Sequence, residues 1–216
     1  MPSQALTDGA RQLAKRDKVM KRLIAEHGLP DLGGRRTGRT RFEQLAEAIC
    51  YQQLAGKAAE AIWLRVRTLV DGAFTPEAVL SVGYDALRGA GFSNAKALSL
   101  LDLAGKVASG DVRLDRIGRL SDEAVVAELV PVRGIGPWTA EMFLIFTLKR
   151  LDVWPVGDYG VRAGYAVIYD LAVMPSSQEL MLLGDRFRPY RTMVAWYCWQ
   201  ALIASRQPPT VPKSSA

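Results

Sequence analysis

Cysteine and histidine are scarce in this chain of 216 residues, which contains two cysteines and a single histidine. Cys50 and Cys198 are too few and too far apart for a disulfide framework or a metal cluster, which favours a reducing compartment. His27 lies near a predicted helix end, where a surface or capping role is expected rather than a ligand role. The chain also lacks an apolar run that could span a bilayer, and its first residues lack the layout of a signal peptide. These absences predict a soluble intracellular protein with no membrane partner.

Strand patterns and internal repeats are missing as well. Apolar residues instead recur at helical spacing along most of the chain. With 49% hydrophobic residues the chain can bury a full core, and we expect an all-α fold. Basic residues are in excess, because 28 lysines and arginines against 22 acidic residues give a net charge of +6. This balance suits a polyanionic partner.

The most informative stretch runs from Ser121 to Arg162. Ser121 is a good helix N-cap, and the apolar run after it should end at Pro131, because the residue before a proline avoids helical angles. A second, nearly all-apolar helix is expected to start near Trp138 or Thr139 and to continue to Leu148. An all-apolar surface predicts that this helix is buried.

A glycine pair joins these two predicted helices. Gly134 and Gly136 flank Ile135, and this spacing allows a very tight turn in which Ile135 points inward. The backbone amides at the start of the second helix would then form an anion site suited to a phosphate. The residues alone leave two interpretations open: a phosphate-binding hairpin, or an ordinary corner between two helices.

The order of motifs after this turn resembles a known family. The sequence GIG is followed by PWTA and then by DVWPVGDYGVR, as in the helix-hairpin-helix DNA glycosylase superfamily, and it is most similar to the 3-methyladenine DNA glycosylase II branch. The resemblance covers residues ~10 to ~205. It implies an all-α, two-lobed fold with a DNA cleft between the lobes. One lobe would combine 1–40 with 156–216, and the other, with six helices, would span 41–155 and contain the hairpin at 121–148.

Asp158 matches the catalytic aspartate of that family. The local sequence alone also fits a plain N-cap at the start of the next helix. N-glycosidic cleavage passes through an oxocarbenium-like sugar, which a carboxylate stabilises while it orients the attacking water. An alkylated purine already carries positive charge and leaves without a strong general acid. The resemblance implies a base pocket whose rings attract such a cation, formed by Trp138, Tyr159, Trp199 and Met142, although aromatic residues more often belong to a core.

The resemblance also implies DNA contacts. The segment QQLAGKAA matches a family loop that pushes a side chain into the base stack, although Ala55 stands where serine is common. Two ordinary helices joined at Gly56 would explain the same pattern. The segment GFSNAKA places Lys96 either on a backbone phosphate or simply on an exposed helix surface. The full set of implied DNA contacts is Arg133, Gly134, Gly136, Thr139, Gln52, Gln53, Leu54, Ala55 and Lys96.

Cofactor expectations follow from the same resemblance. Hairpins of this family bind a monovalent cation (Na⁺ or K⁺) through backbone oxygens, which maps onto Val130, Val132 and Ile135, although Arg133 replaces the usual proline. Neither an iron–sulfur cluster nor any required cofactor is expected. Members that also cleave the DNA backbone carry a lysine where this chain has Trp138, so Schiff-base chemistry is not expected.

The sequence therefore predicts a monomeric, monofunctional glycosylase that flips and excises alkylated purines from duplex DNA in base excision repair. It would act in the nucleoid of a prokaryotic cytoplasm or in a eukaryotic nucleus. Two alternatives stay open: a non-catalytic module that binds or senses damaged DNA, and a glycosylase for uracil, hypoxanthine or etheno adducts.

Overall fold

The computed structural model describes residues 4–33, 38–54 and 56–206. Within these ranges the chain forms eleven α-helices and two short 3₁₀ turns, Ile117–Arg119 and Asp185–Phe187, and contains no strand. The all-α prediction is confirmed. In chain order, α1 to α11 are Gln4–Arg16, Lys18–His27, Arg41–Tyr51, Gly56–Thr68, Pro76–Gly89, Asn94–Ser109, Asp122–Leu129, Pro137–Phe146, Tyr159–Ile168, Ser177–Gly184 and Arg191–Ser205.

Side-chain caps explain where many of these helices begin. The Ser121 hydroxyl accepts a hydrogen bond from the Ala124 amide at 3.2 Å, which opens α7 as predicted. Helix α8 begins at Pro137, one or two residues before its predicted start, because a proline at the first helical position loses no helical hydrogen bond. His27 is the exposed last residue of α2. No helix in the described part of the chain is long and apolar enough to cross a membrane.

The chain divides into two compact units. The terminal unit comprises Met1–Gly34 and Arg150–Ala216, and the central unit comprises Arg35–Lys149. The sequence placed its lobe boundaries a few residues later, after residues 40 and 155. Each unit is built from its own set of helices around its own core.

Helices α9 and α11 form the centre of the terminal unit. They approach so closely that a Cβ added at Gly164 would lie 2.0 Å from the Cys198 carbonyl oxygen. Tyr165 and Tyr197 are buried beside this contact, and α1 and α2 complete the core through residues such as Leu13. This packing fixes the first turn of α9, at which Asp158 is the N-cap.

The central unit packs α3 against α4 and α6, α5 against α6, and α7 against α8. Its buried aromatic residues include Trp63 and Phe74, whose ring centroids lie 5.3 Å apart in an edge-on arrangement. Val132 and Ile135 are 1% and 3% exposed, so the turn between α7 and α8 is anchored by two apolar side chains. The glycine turn is therefore held rigidly against the core of this unit.

Candidate functional site

The turn between α7 and α8 is a tight hairpin that requires glycine at Gly134. Gly134 has φ of 76°, and a Cβ at this position would lie 2.4 Å from Ser99 Oγ. The Ile135 amide donates to the Val132 carbonyl at 3.0 Å, which closes the turn. The inward position of Ile135 is confirmed by its burial.

Asp102 of α6 fixes this hairpin from one side. Its Oδ2 accepts the Arg133 amide at 2.7 Å and pairs with the Lys106 ammonium at 2.6 Å. Burial alone would raise the pKa of the Asp102 carboxyl, but the hydrogen bonds from Lys106 and from the Arg133 backbone outweigh it and hold this pKa below its ordinary value. An ionised Asp102 therefore secures the residue that precedes Gly134, while the Arg133 side chain lies at the surface.

The start of α8 has the geometry of an anion site. Gly136 is its N-cap and carries no side chain to cap the helix, and Pro137 occupies the first turn. The amides and the dipole of a helix N-terminus attract phosphate oxygens. In the same turn, Thr139 is buried at 6% exposure, so its hydroxyl faces the protein.

Gln52 connects this hairpin to the end of α3. Its side-chain amide Nε2 donates to the Gly134 carbonyl at 2.9 Å and to Thr139 Oγ1 at 3.4 Å. The next residue, Gln53, adopts a left-handed φ of 55°, and Leu54 is 38% exposed at the tip of the turn. Ala55, the fourth residue implied to contact DNA in this segment, lies outside the described residues.

Lys96 has a partner within the protein. Its ammonium donates to the Cys50 carbonyl at 2.7 Å, and desolvation lowers its pKa below the ordinary lysine value. Cys50 itself is buried, and burial raises the pKa of its thiol to about 11. Contact of Lys96 with a DNA phosphate stays a prediction.

A cavity of about 590 Å³ lies beside the hairpin in the central unit. The cavity brings together six of the residues that the sequence analysis assigned to the site. Two further lining residues, Ala48 and Tyr51, were not predicted and lie on α3 shortly before Gln52. Trp138 is 48% exposed, so much of its ring can contact a ligand. The complete lining is Ala48, Tyr51, Gln52, Gln53, Gly134, Trp138, Thr139 and Met142.

Asp158 occupies a well-defined position in the terminal unit. Its Oδ1 accepts the Val161 amide at 2.8 Å, as an N-cap does, and also the Trp199 indole Nε1–H at 2.9 Å. The side chain is partly buried, and Tyr159 beside it is 59% exposed. Two hydrogen bonds to one oxygen fix the plane and the direction of this carboxylate.

The bond between Trp199 and Asp158 was not foreseen from the sequence, which assigned Trp199 to a base pocket only. The two residues lie 41 positions apart and meet through the packing of α9 on α11. Gly160 permits this approach, because a Cβ there would lie 2.8 Å from Trp199 Cδ1. No local signal in the sequence indicates such a contact.

The three residues implied to bind a cation all lie in the hairpin segment. Val130 is 40% exposed, and the Val132 carbonyl already accepts the Ile135 amide. A carbonyl oxygen has a second lone pair, so this bond leaves the donor set compatible with a monovalent ion. Among the described residues, no group of three histidine, cysteine or acidic side chains is arranged to hold a metal.

Comparisons with known proteins agree with this geometry. The model of the HhH-GPD superfamily of base excision DNA repair proteins matches residues 46–187. DNA-3-methyladenine glycosylase 1 of Schizosaccharomyces pombe is 34% identical over 97% of this chain and 93% of its own length.

Two solved structures are similar over most of the chain. One is the S. pombe 3-methyladenine DNA glycosylase (Mag1) in complex with abasic DNA, with a TM-score of 0.78, 33% identity, and coverage of 89% of this chain and 95% of that one. The other is a DNA-3-methyladenine glycosidase from Bacillus halodurans, with a TM-score of 0.81, 33% identity, and coverage of 92% and 91%. The chain belongs to the HhH-GPD superfamily of base excision DNA repair proteins.

Proposed function

We propose that this protein is a monofunctional DNA glycosylase that removes alkylated purines from duplex DNA. One observation carries the proposal: a single carboxylate, Asp158, is held by the Val161 amide and the Trp199 indole in a chain that belongs to a family of base excision repair proteins. A fixed carboxylate is the group that hydrolysis of an N-glycosidic bond requires.

Binding begins at the hairpin in this mechanism. The N-terminus of α8 and the exposed Arg133 side chain contact phosphates of the damaged strand, and the net charge of +6 promotes association. Backbone contacts of this kind position the protein without reading sequence. They hold the strand while one nucleotide leaves the stack.

The flipped base needs a receptor, and the cavity beside the hairpin supplies one. Extrusion costs a few kcal/mol, less for a damaged or poorly paired base. The exposed face of Trp138 attracts a cationic purine by ~0.5–2 kcal/mol. Met142 lines the same cavity with a flexible thioether that adapts to different alkyl groups. In the terminal unit, Tyr159 and Trp199 place aromatic rings beside Asp158.

Asp158 acts on the sugar of the damaged nucleotide. As the bond between C1′ and the purine nitrogen breaks, its electron pair neutralises the positive charge of the alkylated base, which leaves as a neutral molecule. The carboxylate stabilises the oxocarbenium character at C1′ and accepts a proton from the water whose oxygen bonds to C1′. The products are the free base and an abasic site.

Backbone cleavage is not part of this mechanism. A lyase step through a Schiff base needs an amine beside C1′. Trp138 stands at the position where the bifunctional members of the superfamily carry that lysine, and an indole cannot form a Schiff base. The proposed enzyme therefore releases its product as an intact strand that contains an abasic site.

The remaining assignments complete the proposal. The carbonyl oxygens of Val130, Val132 and Ile135 would hold a monovalent cation, which would add positive charge near a bound phosphate. The enzyme needs no other cofactor. It acts as a monomer on damaged duplex DNA, in the nucleoid or the nucleus according to its organism.

A panel of site-specific lesions tests the proposal. Duplexes that contain 3-methyladenine, 7-methylguanine, hypoxanthine, ethenoadenine or uracil are incubated with the protein and assayed for alkali-labile abasic sites. We expect cleavage after alkali for the alkylpurines and no borohydride-trapped complex. Binding to all the duplexes without turnover on any would identify a non-catalytic DNA-binding protein, and turnover confined to the uncharged lesions would reassign the substrate.

A further inference from the structure

The turn between α3 and α4 is held in place from α6. Helix α3 ends at Tyr51, so its last carbonyls lack helical partners. The Lys96 ammonium reaches across from α6 and donates to the Cys50 carbonyl at 2.7 Å. A cation at a helix C-terminus also interacts favourably with the helix dipole. Lys96 therefore caps α3 at the point where the chain enters the turn.

The same turn is held from the hairpin. The Gln52 side chain donates to the Gly134 carbonyl at 2.9 Å, and Gly134 is the residue whose left-handed φ shapes the hairpin. On the other side, Asp102 of α6 accepts the Arg133 amide. Helix α6 thus carries both Lys96, which holds the turn, and Asp102, which holds the hairpin.

The turn between these two anchors has an unusual backbone conformation. Gln53 has φ of 55°, a left-handed value that is uncommon for non-glycine residues. Directly after it, Leu54 presents an apolar side chain that is 38% exposed. An exposed leucine at the tip of a rigid turn has the shape and chemistry of a wedge between base pairs.

We propose that Lys96 and Gln52 are positioning residues that lock the Gln52–Leu54 turn to α6 and to the hairpin, so that gripping the phosphates and inserting Leu54 occur as one rigid step. The inference rests on the proposed glycosylase function and deepens it. In this inference the Lys96 ammonium binds the protein backbone at the turn and does not contact a DNA phosphate. The hydrogen bonds of Lys96 and Gln52 assist the extrusion of the base, and they have no role once the base is out of the stack.

Two duplexes separate extrusion from chemistry. The first contains 7-methylguanine paired with cytosine, so that flipping leaves a gap for the wedge to fill. The second contains the same lesion as a single-nucleotide bulge, which leaves no gap. Single-turnover rates are measured for the wild type, Lys96→Met and Gln52→Met. Methionine keeps the approximate length of each side chain and removes the hydrogen-bond donor.

We expect each variant to be about tenfold slower on the paired lesion, the change that losing one hydrogen bond of this kind produces. Lys96→Met, at a residue that does not line the base cavity, should match the wild type on the bulge. Lys96→Arg, which keeps a cationic donor, should retain most of the rate on the paired lesion. Lys18→Met, at an exposed lysine of α2, controls for the loss of one positive charge. An equal defect of Lys96→Met on both duplexes would overturn the inference, because it would indicate a general structural role.

Salt dependence provides an independent test. A lysine that contacts a phosphate reduces the slope of log K against log salt by about 1 when it is removed. We expect the wild-type slope for Lys96→Met, whereas Arg133→Ala should reduce it. A reduced slope for Lys96→Met would indicate that Lys96 contacts a DNA phosphate and would refute its positioning role. If the wild type itself releases no 7-methylguanine from either duplex although it binds both, the proposed function fails instead.

Discussion

Gly160 is the position where one added methyl group tests how Asp158 is held. A Cβ at Gly160 would lie 2.8 Å from Trp199 Cδ1, 3.1 Å from Trp199 Nε1 and 3.0 Å from Asp158 Oδ1. Carbon atoms in contact are normally ~3.5–4.0 Å apart, so in Gly160→Ala the indole must retreat by about 0.7 Å or more. This movement stretches the hydrogen bond of 2.9 Å between Trp199 and Asp158 beyond a useful length.

The two effects of this substitution have opposite signs. Alanine is favoured over glycine inside a helix by about 1 kcal/mol, which offsets much of the strain, so the melting temperature should change by only a few degrees. A hydrogen bond to a charged group contributes about 1.5–3 kcal/mol. If the bond orients Asp158 in the transition state, its loss slows excision by about ten- to a hundredfold.

The assay is single-turnover base release from a methylated duplex, with thermal unfolding measured in parallel. Gly105→Ala is the matched control, because Gly105 lies in α6 and an added Cβ there meets nothing within 4 Å. Trp199→Phe keeps an aromatic ring and removes the N–H donor, and it should lose a similar factor in rate. A Gly160→Ala protein that excises at the wild-type rate would refute the orienting role of Trp199.

Three further predictions concern the supports of the site. Gly134→Ala introduces an alanine in a left-handed conformation, which costs about 1–2 kcal/mol, and a Cβ that lies 2.4 Å from Ser99 Oγ. The substitution should lower both the melting temperature and the DNA affinity measured by fluorescence anisotropy. An unchanged affinity would argue against the hairpin as the contact with the DNA strand. Gly164→Ala places a Cβ 2.0 Å from the Cys198 carbonyl oxygen and should lower the free energy of unfolding, measured by urea denaturation, by about 1–3 kcal/mol. An unfolding midpoint equal to that of the wild type would disprove this effect. The folded-state pKa of Asp102 is lowered from its ordinary value of 3.8, so the ionised carboxylate contributes fully to the free energy of unfolding above about pH 4 and loses this contribution as the pH falls through the folded pKa. Asp102→Asn should therefore reduce the loss of stability at acid pH. An unchanged loss of stability at acid pH would contradict this assignment.

Local signals in the sequence were sufficient for most of the fold. Ser121 predicted the start of α7, and Pro131 predicted its end to within two residues, because caps and prolines act on the adjacent backbone. The hairpin followed from its glycine spacing, and Ile135 proved to be buried as expected. The end of α8 was placed two residues too late, at Leu148 instead of Phe146, since the apolar run continues beyond the helix.

The site was only partly accessible to the same reasoning. Asp158 could be identified from a motif, and its N-cap role is confirmed by the bond from Val161. The bonds from Trp199 to Asp158 and from Lys96 to the Cys50 carbonyl join residues 41 and 46 positions apart. Such contacts depend on how helices pack, and no short-range pattern encodes them. A side chain that the sequence assigns to DNA can therefore also bind the protein backbone, as Lys96 does.

The catalytic role of Asp158 is tested by comparing the wild type with Asp158→Asn at equal DNA occupancy. The assay measures the release of 3-methyladenine from methylated duplex DNA. Asparagine keeps the size and the N-cap hydrogen bond but removes the charge that stabilises the developing cation at C1′. The mechanism predicts that the wild type leaves abasic sites and that Asp158→Asn binds the same DNA but releases the base about 10²–10³-fold more slowly. An Asp158→Asn protein that releases the base at the wild-type rate would contradict it.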